Sequence, residues 1–277
     1  MNTMASAAPR QRALVTGASN GIGLELASVL AREGYALVIT ARSQAALEGV
    51  ARGLSAAHGV PIHPVAADLA SPEGAQGLMR EIVAAGLPVD VLVNNAGFGL
   101  FGAFATTPLE DEQRMLAVNI SALVTLTKLC LPGMVERHRG RVLNVASTAA
   151  FLPGPNMAVY YATKAFVLSF SEAIADELRG TGVTVSALCP GPTETAFQRV
   201  AGMQKSRLVQ GTMMSAAEVA EAGYRGMLAG DPVVIPGFTN SMVPLLIRLL
   251  PRRLATIVSR RAAESAGETK SKMKNEK

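Results

Sequence analysis

Short runs of apolar residues alternate along the chain with longer stretches in which apolar positions recur every three to four residues. The runs at 13–15, 36–40, 62–66, 89–94, 141–146, 183–188 and 233–235 are apolar at nearly every position, so they read as strands covered on both faces. The periodic stretches at 21–32, 43–57, 72–85, 109–137, 159–178 and 216–228 read as helices, one between each pair of strands. Helical crossovers make neighbouring strands parallel, and their right-handedness lays helices on both sides of the sheet. The expectation is an α/β fold with a doubly wound, mostly parallel seven-stranded sheet. Ligands in such sheets bind beyond the carboxyl ends of the strands.

The chain shows no internal repeat of solenoid period and no linker that would divide it. A length of 277 residues suits one domain, since α/β folds often run to ~250 residues undivided. We expect a flexible lead-in at 1–12, one catalytic and cofactor-binding domain at 13–238, an apolar and basic helical extension at 239–266, and a disordered basic tail at 267–277. Tryptophan is absent, so the core must rest on Leu, Val, Ala and Ile. No uninterrupted apolar stretch of ~20 residues suggests a membrane span, and the first ten residues lack the apolar block of a secretory signal. Two separated cysteines, Cys130 and Cys189, make neither a metal cluster nor a disulfide framework; a cytoplasmic protein without a metal is expected.

Candidate chemistry concentrates in two places. Gly17-x-x-x-Gly21-x-Gly23 joins the first strand to the first helix, where glycines let the backbone approach a pyrophosphate and fresh helix amides face its charge. Tyr160 and Lys164 stand at i and i+4 on one helix face, so a phenol and an ammonium can share a pocket. A cation there favours the phenolate and moves the tyrosine toward working pH, fitting it to exchange a proton with a carbonyl or an alcohol oxygen. Ser147 lies thirteen positions upstream at a strand end; Thr148 could support it. Tyr161 lacks the i+4 relation and should pack or face substrate.

In this order and approximate spacing, the glycine turn, Asn94-Asn95-Ala96-Gly97, Asn119, Ser147, Tyr160 with Lys164, and Pro190-Gly191 resemble the short-chain dehydrogenase/reductase family over 13–235. The resemblance implies a single Rossmann-like domain. It implies that Tyr160 is the general acid and Ser147 holds the substrate oxygen. Lys164 would hold the nicotinamide ribose and lower the tyrosine pKa, and Asn119 would interrupt its helix and hold a water relaying protons to Lys164. Cofactor contacts implied are Gly17, Ser19, Asn20, Gly21, Ile22, Gly23, Asn95, Ala96 and Gly97. Asp68 and Leu69 would lie at the adenine, and Pro190, Gly191, Thr193 and Thr195 at the nicotinamide or phosphates. Asn94 suits a tie between strands at least as well as a cofactor contact, and an aspartate placed like Asp68 is more often a helix or turn cap.

At the end of the second strand Ala41 stands where NAD-preferring relatives carry an acid, and Arg42 follows. A guanidinium binds a 2′-phosphate through paired hydrogen bonds, so NADP(H) is favoured, with NAD(H) possible because Asn20 replaces the base of many NADP-using relatives. The reading is a reductase of a small-molecule carbonyl or secondary alcohol; an NAD-linked alcohol dehydrogenase and an NADP(H)-binding scaffold without turnover are the alternatives. Phe98, Phe101, Phe151 and Phe197 are candidates for an apolar cleft, and 196–214 for a substrate lid. A homodimer or homotetramer through the helices at 109–137 and 159–178 follows from the resemblance.

Charge changes the picture only at the end of the chain. From 248 to 277 nine Lys/Arg face three Glu, a local +6 against +5 for the whole chain, so the remainder is near −1. The mixed apolar and basic stretch at 242–254 could lie on an anionic membrane surface. Prolines cut it short, which favours packing over the cleft or against a partner subunit with arginines reaching outward. Nucleic acid is not an expected partner.

Overall fold

The computed structural model describes residues 10–203, 213–249 and 251–263. Most of the lead-in, the stretch 204–212 of the expected lid, and the tail at 267–277 lie outside the described residues. The chain runs β1 (Arg12–Thr16), α1 (Gly21–Arg32), β2 (Ala36–Ala41), α2 (Gln44–His58), β3 (Ile62–Ala66), α3 (Gly74–Ala84), β4 (Val91–Asn94), α4 (Leu109–Leu116), α5 (Leu123–Glu136) and β5 (Gly140–Val145). It continues with α6 (Ala158–Glu177), β6 (Val183–Leu188), β7 (Thr193–Glu194), α7 (Phe197–Val200), β8 (Met214–Ser215), α8 (Ala216–Ala229), β9 (Val233–Val234), α9 (Phe238–Leu249) and α10 (Arg252–Ala263). A π-helical turn (Ala117–Ala122) joins α4 to α5, and a 3-10 turn (Thr148–Phe151) follows β5.

Seven parallel strands form one sheet in the order β3-β2-β1-β4-β5-β6-β9, the doubly wound arrangement expected, with strand ends within two residues of the apolar runs. The order reverses direction between β1 and β4, which opens a crevice at their carboxyl ends. Core residues lie on both sheet faces. Leu37 and Ile39 pack with α1 and α2, whereas Leu14 and Leu92 pack with α3 and α5. Each large apolar side chain so buried contributes about 1.5–3 kcal/mol. Helix ends follow local chemistry: Ser43 accepts from Ala46 N at 3.3 Å to start α2, and Ser215 with Glu218 makes a reciprocal capping box on α8.

A buried polar chain ties the middle of the sheet to its helices. Asn94 Nδ2 donates to Thr127 Oγ1 (3.0 Å) and Asn144 Oδ1 (2.9 Å), and Asn144 Nδ2 donates to Ser171 Oγ (2.9 Å). Asn94 is thus the strand tie that its position suggested. The helix Leu109–Glu136 is apolar and long enough to cross a membrane by composition. It packs against the sheet, with Leu126 and Met134 fully enclosed. Pro244 lies inside α9 without ending it; the break comes at Pro251, between α9 and α10.

Candidate active site

The glycine turn is held by Thr16, whose role the sequence did not reveal. Its Oγ1 donates to Val93 O (3.2 Å) and accepts from Asn95 N (3.0 Å) and Ala96 N (2.9 Å), so the ends of β1 and β4 are locked together. Asn95 Nδ2 donates to Thr16 O (2.9 Å) and Gly17 O (3.3 Å). Both amide protons of Asn95 therefore go to the turn, and its side chain braces the cradle. Gly17 has φ +67°, and a Cβ there would lie 2.8 Å from Asn95 Nδ2 and 3.0 Å from Ala96 Cα. Conformation and space both exclude a side chain. Asn20 precedes α1 but makes no side-chain cap; its amide donates to Ser19 Oγ at 3.3 Å. The first amides of α1, at Gly21, Ile22 and Gly23, are thus left by that side chain to face an anion.

The other expected contacts ring the same sheet edge. Arg42 is exposed just past β2 and, among the described residues, takes part in no ion pair. Asp68 accepts from Ala70 N at 3.0 Å and lies 3.7 Å from Arg114, so its carboxylate caps the turn after β3, beside buried Leu69. Past β6, Pro190 O accepts from Thr148 N (2.9 Å), and Thr193 Oγ1 donates to Gly191 O (2.9 Å). β7 pairs with β8, which clips this segment in place. Thr195 reaches the glycine turn: a Cβ on Gly21 would lie 3.2 Å from its methyl.

The π-helical turn contains Asn119, as the expected helix interruption required. Buried Asn119 accepts from Phe98 N (3.1 Å) through Oδ1 and donates through Nδ2 to Phe98 O (3.0 Å) and Thr163 Oγ1 (3.1 Å). Both amide protons are committed to protein partners, so the side chain acts as a strut between the loop after β4 and α6. Thr163 Oγ1 in turn donates to Tyr160 O at 2.7 Å. Thr163 is the second residue missed; its place inside the Tyr160–Lys164 interval was the available signal.

Tyr160, Ser147 and Lys164 converge at the ends of β5 and α6. Ser147 caps the 3-10 turn, accepting from Ala149 N (3.1 Å), and its hydroxyl faces that of Tyr160. Lys164 Nζ lies 5.8 Å from the Tyr160 ring centroid and donates to Val145 O at 2.7 Å. Gly97 sits beside it: a Cβ there would lie 3.1 Å from Asn119 Oδ1 and 3.6 Å from Lys164 Nζ. The tyrosine departs from expectation. Burial pushes its pKa up, the facing Ser147 hydroxyl pulls it back in part, and the enclosed lysine does not offset the loss of water. Burial lowers Lys164 itself to about 8, with nearby Cys189 acting in the opposite sense.

Apolar residues wall this group. The Phe197 ring stands 5.3 Å from that of Tyr160, and Phe98, Phe101, Met157 and Met203 belong to the same cluster. Phe151 packs elsewhere, with Val167 and Leu168. Tyr161 turns away from Lys164: its ring presses on Gly154, burial raises its pKa, and the Ser259 hydroxyl of α10 faces it. Asn240 of α9 crowds Gly191. The C-terminal helices thus close over the catalytic edge, a placement that no motif announces.

Residues 11–206 match the family described as short chain dehydrogenase. The ketoacyl reductase HetN of Nostoc sp. is 34% identical over 212 residues, 73% of this chain and 74% of that protein. A very-long-chain 3-oxoacyl-CoA reductase of Pyrenophora tritici-repentis is 35% identical over 192 residues, 68% of this chain but 56% of that longer protein. Among solved structures, a short-chain dehydrogenase from Sphingobium yanoikuyae in complex with NADPH superposes with a TM-score of 0.79 at 30% identity, covering 93% of this chain and 99% of that one. The ordered motifs, the strand order and these likenesses agree, and the chain belongs to the short-chain dehydrogenase family of oxidoreductases.

Proposed function

We propose that the protein is an NADP(H)-dependent reductase of an apolar carbonyl compound. The observation that supports this direction is the buried Tyr160 hydroxyl, protonated at neutral pH and facing Ser147 among apolar side chains. A tyrosine that is protonated at neutral pH is in the form that gives a proton to a carbonyl oxygen, as reduction requires.

The residues present fit a dinucleotide. The side-chain-free cradle at Gly17, the unclaimed amides of α1 and the bare backbone of Gly97 beside Lys164 line one edge of the sheet. When bound, the nicotinamide supplies the hydride to the carbonyl carbon. Ser147 orients the carbonyl oxygen and Tyr160 delivers its proton there. Lys164 holds a positive charge beside the phenol ring and would hold the nicotinamide ribose, and Asn119 with Thr163 keeps the loop at Gly97 and Phe98 in register with α6. Arg42 after uncharged Ala41 supports preference for the 2′-phosphate, as does the NADPH named with the Sphingobium relative.

The wall of Phe98, Phe101, Met157 and Phe197 supports an apolar substrate, and the ketoacyl reductases among the relatives support a 3-oxoacyl chain as the first class to assay. Exposed Leu116, Leu129 and Phe166 support a homo-oligomer through the long helices, and free thiols at Cys130 and Cys189 suit the cytoplasm. The test titrates NADPH and NADH by nicotinamide fluorescence into the wild type and Arg42→Asp. Preference for NADPH that the variant loses upholds the assignment; equal binding of NADH by the wild type refutes it. Turnover of 3-oxoacyl thioesters that disappears in Tyr160→Phe separates the enzyme from a scaffold.

A further inference from the structure

The outer faces of α9 and α10 carry a cluster of exposed large apolar side chains. Each helix turns an inner side to the catalytic edge: Asn240 crowds Gly191, and Ala255 and Ser259 are buried one turn apart, with Ser259 at Tyr161. The outer side should then be polar in a water-facing helix. It is not. On α9, Phe238, Leu245 and Leu246 are 82%, 60% and 57% exposed, on one face by the helical repeat. On α10, Leu254, Ile257 and Val258 are each about half exposed at i, i+3 and i+4. Across 238–263 the sequence carries five arginines (248, 252, 253, 260 and 261) and no acidic residue, whereas 1–237 sums to about −1.

We propose that this two-helix surface docks the protein onto an anionic lipid bilayer, apolar side chains entering the headgroup boundary and arginines pairing with lipid phosphates and carboxylates. Charge decides the occupant. A second copy meeting this surface across a two-fold axis would bring two sets of five arginines together with no acid from either helix to pair them. A nucleic acid would satisfy the arginines and leave the leucines and the phenylalanine wet. An anionic interface satisfies both. The docked face covers the active site, so an apolar substrate would enter the cleft from the lipid side.

The full chain is tested by flotation with vesicles of phosphatidylcholine alone and of phosphatidylcholine mixed equally with phosphatidylserine. Binding to the mixed vesicles, weakening with added salt, is the expected result. Each surface arginine is worth about fivefold in partitioning, so Arg252→Gln with Arg253→Gln should lower it roughly thirtyfold. Leu245→Gln with Leu246→Gln should abolish flotation while leaving the melting temperature and NADPH binding unchanged, which separates loss of docking from loss of folding. Failure to float with either vesicle overturns the proposal, as does equal binding to neutral vesicles. Light scattering that shows these variants dissociating a homo-oligomer, without lipid binding by the wild type, assigns the surface to a second copy instead.

Discussion

Replacing Lys164 with methionine should make the protein more stable while abolishing turnover. Lys164 is 6% exposed, and among the described residues its ammonium donates to Val145 O. Burial lowers its pKa from 10.5 to about 8. The folded chain therefore gives up, between about pH 8 and 10.5, a proton that the unfolded chain keeps. Stability rises with pH through that window, and the cost of burying the charge is fully present below it. At 1.4 kcal/mol per unit the cost is about 3 kcal/mol. Methionine fills a similar volume without charge and forfeits the Val145 bond, worth about 1 kcal/mol net. The balance is a gain of about 2 kcal/mol at pH 7, or roughly 3–4 °C in melting temperature for a chain of this size. By pH about 10 the wild type is largely relieved of the charge, and the gain should shrink to almost nothing. Calorimetric or fluorescence melts of both proteins at the two pH values test this directly. A variant less stable at pH 7, or a difference independent of pH, would refute the idea that this ammonium is held at a cost to folding for the sake of catalysis.

Reduction should be independent of pH through neutrality, because Tyr160 stays protonated there, and should fall above about pH 8 as Lys164 loses its charge; a steady-state profile already falling below pH 7 would contradict it. Thr163→Val removes the acceptor of Asn119 and leaves a buried amide proton unpaired, at a cost of about 1–3 kcal/mol. Thr163→Ser should restore both stability and kcat; equal melts of the two variants would show that the strut carries nothing. Gly17→Ala combines positive φ with contact at Ala96 Cα and should lose at least about 2 kcal/mol together with NADPH binding. Gly34→Ala, with positive φ but open space, should cost about 1 kcal/mol and bind NADPH normally.

The sequence by itself determined the sheet, its parallel sense and the list of groups at its edge. Strands apolar on every face can only be buried in a covered sheet, and the interval between Tyr160 and Lys164 is one helical turn in any helix. Those are local facts, readable from periodicity and spacing. The protonation of Tyr160 was not local. A nearby lysine predicts a lowered pKa, yet desolvation by Met157, Phe197 and the segment around them outweighs it, and only packing sets that balance. The use of Asn95 and Asn119 as braces likewise depends on which backbone groups the fold brings within 3.3 Å. The closure of α9 and α10 over the cleft was decided by contacts of Asn240 and Ser259 with residues far away in sequence, at Gly191 and Tyr161. Periodicity tells which residues share a helix face; only tertiary structure tells which face meets the protein, and here it leaves apolar residues on the side that does not.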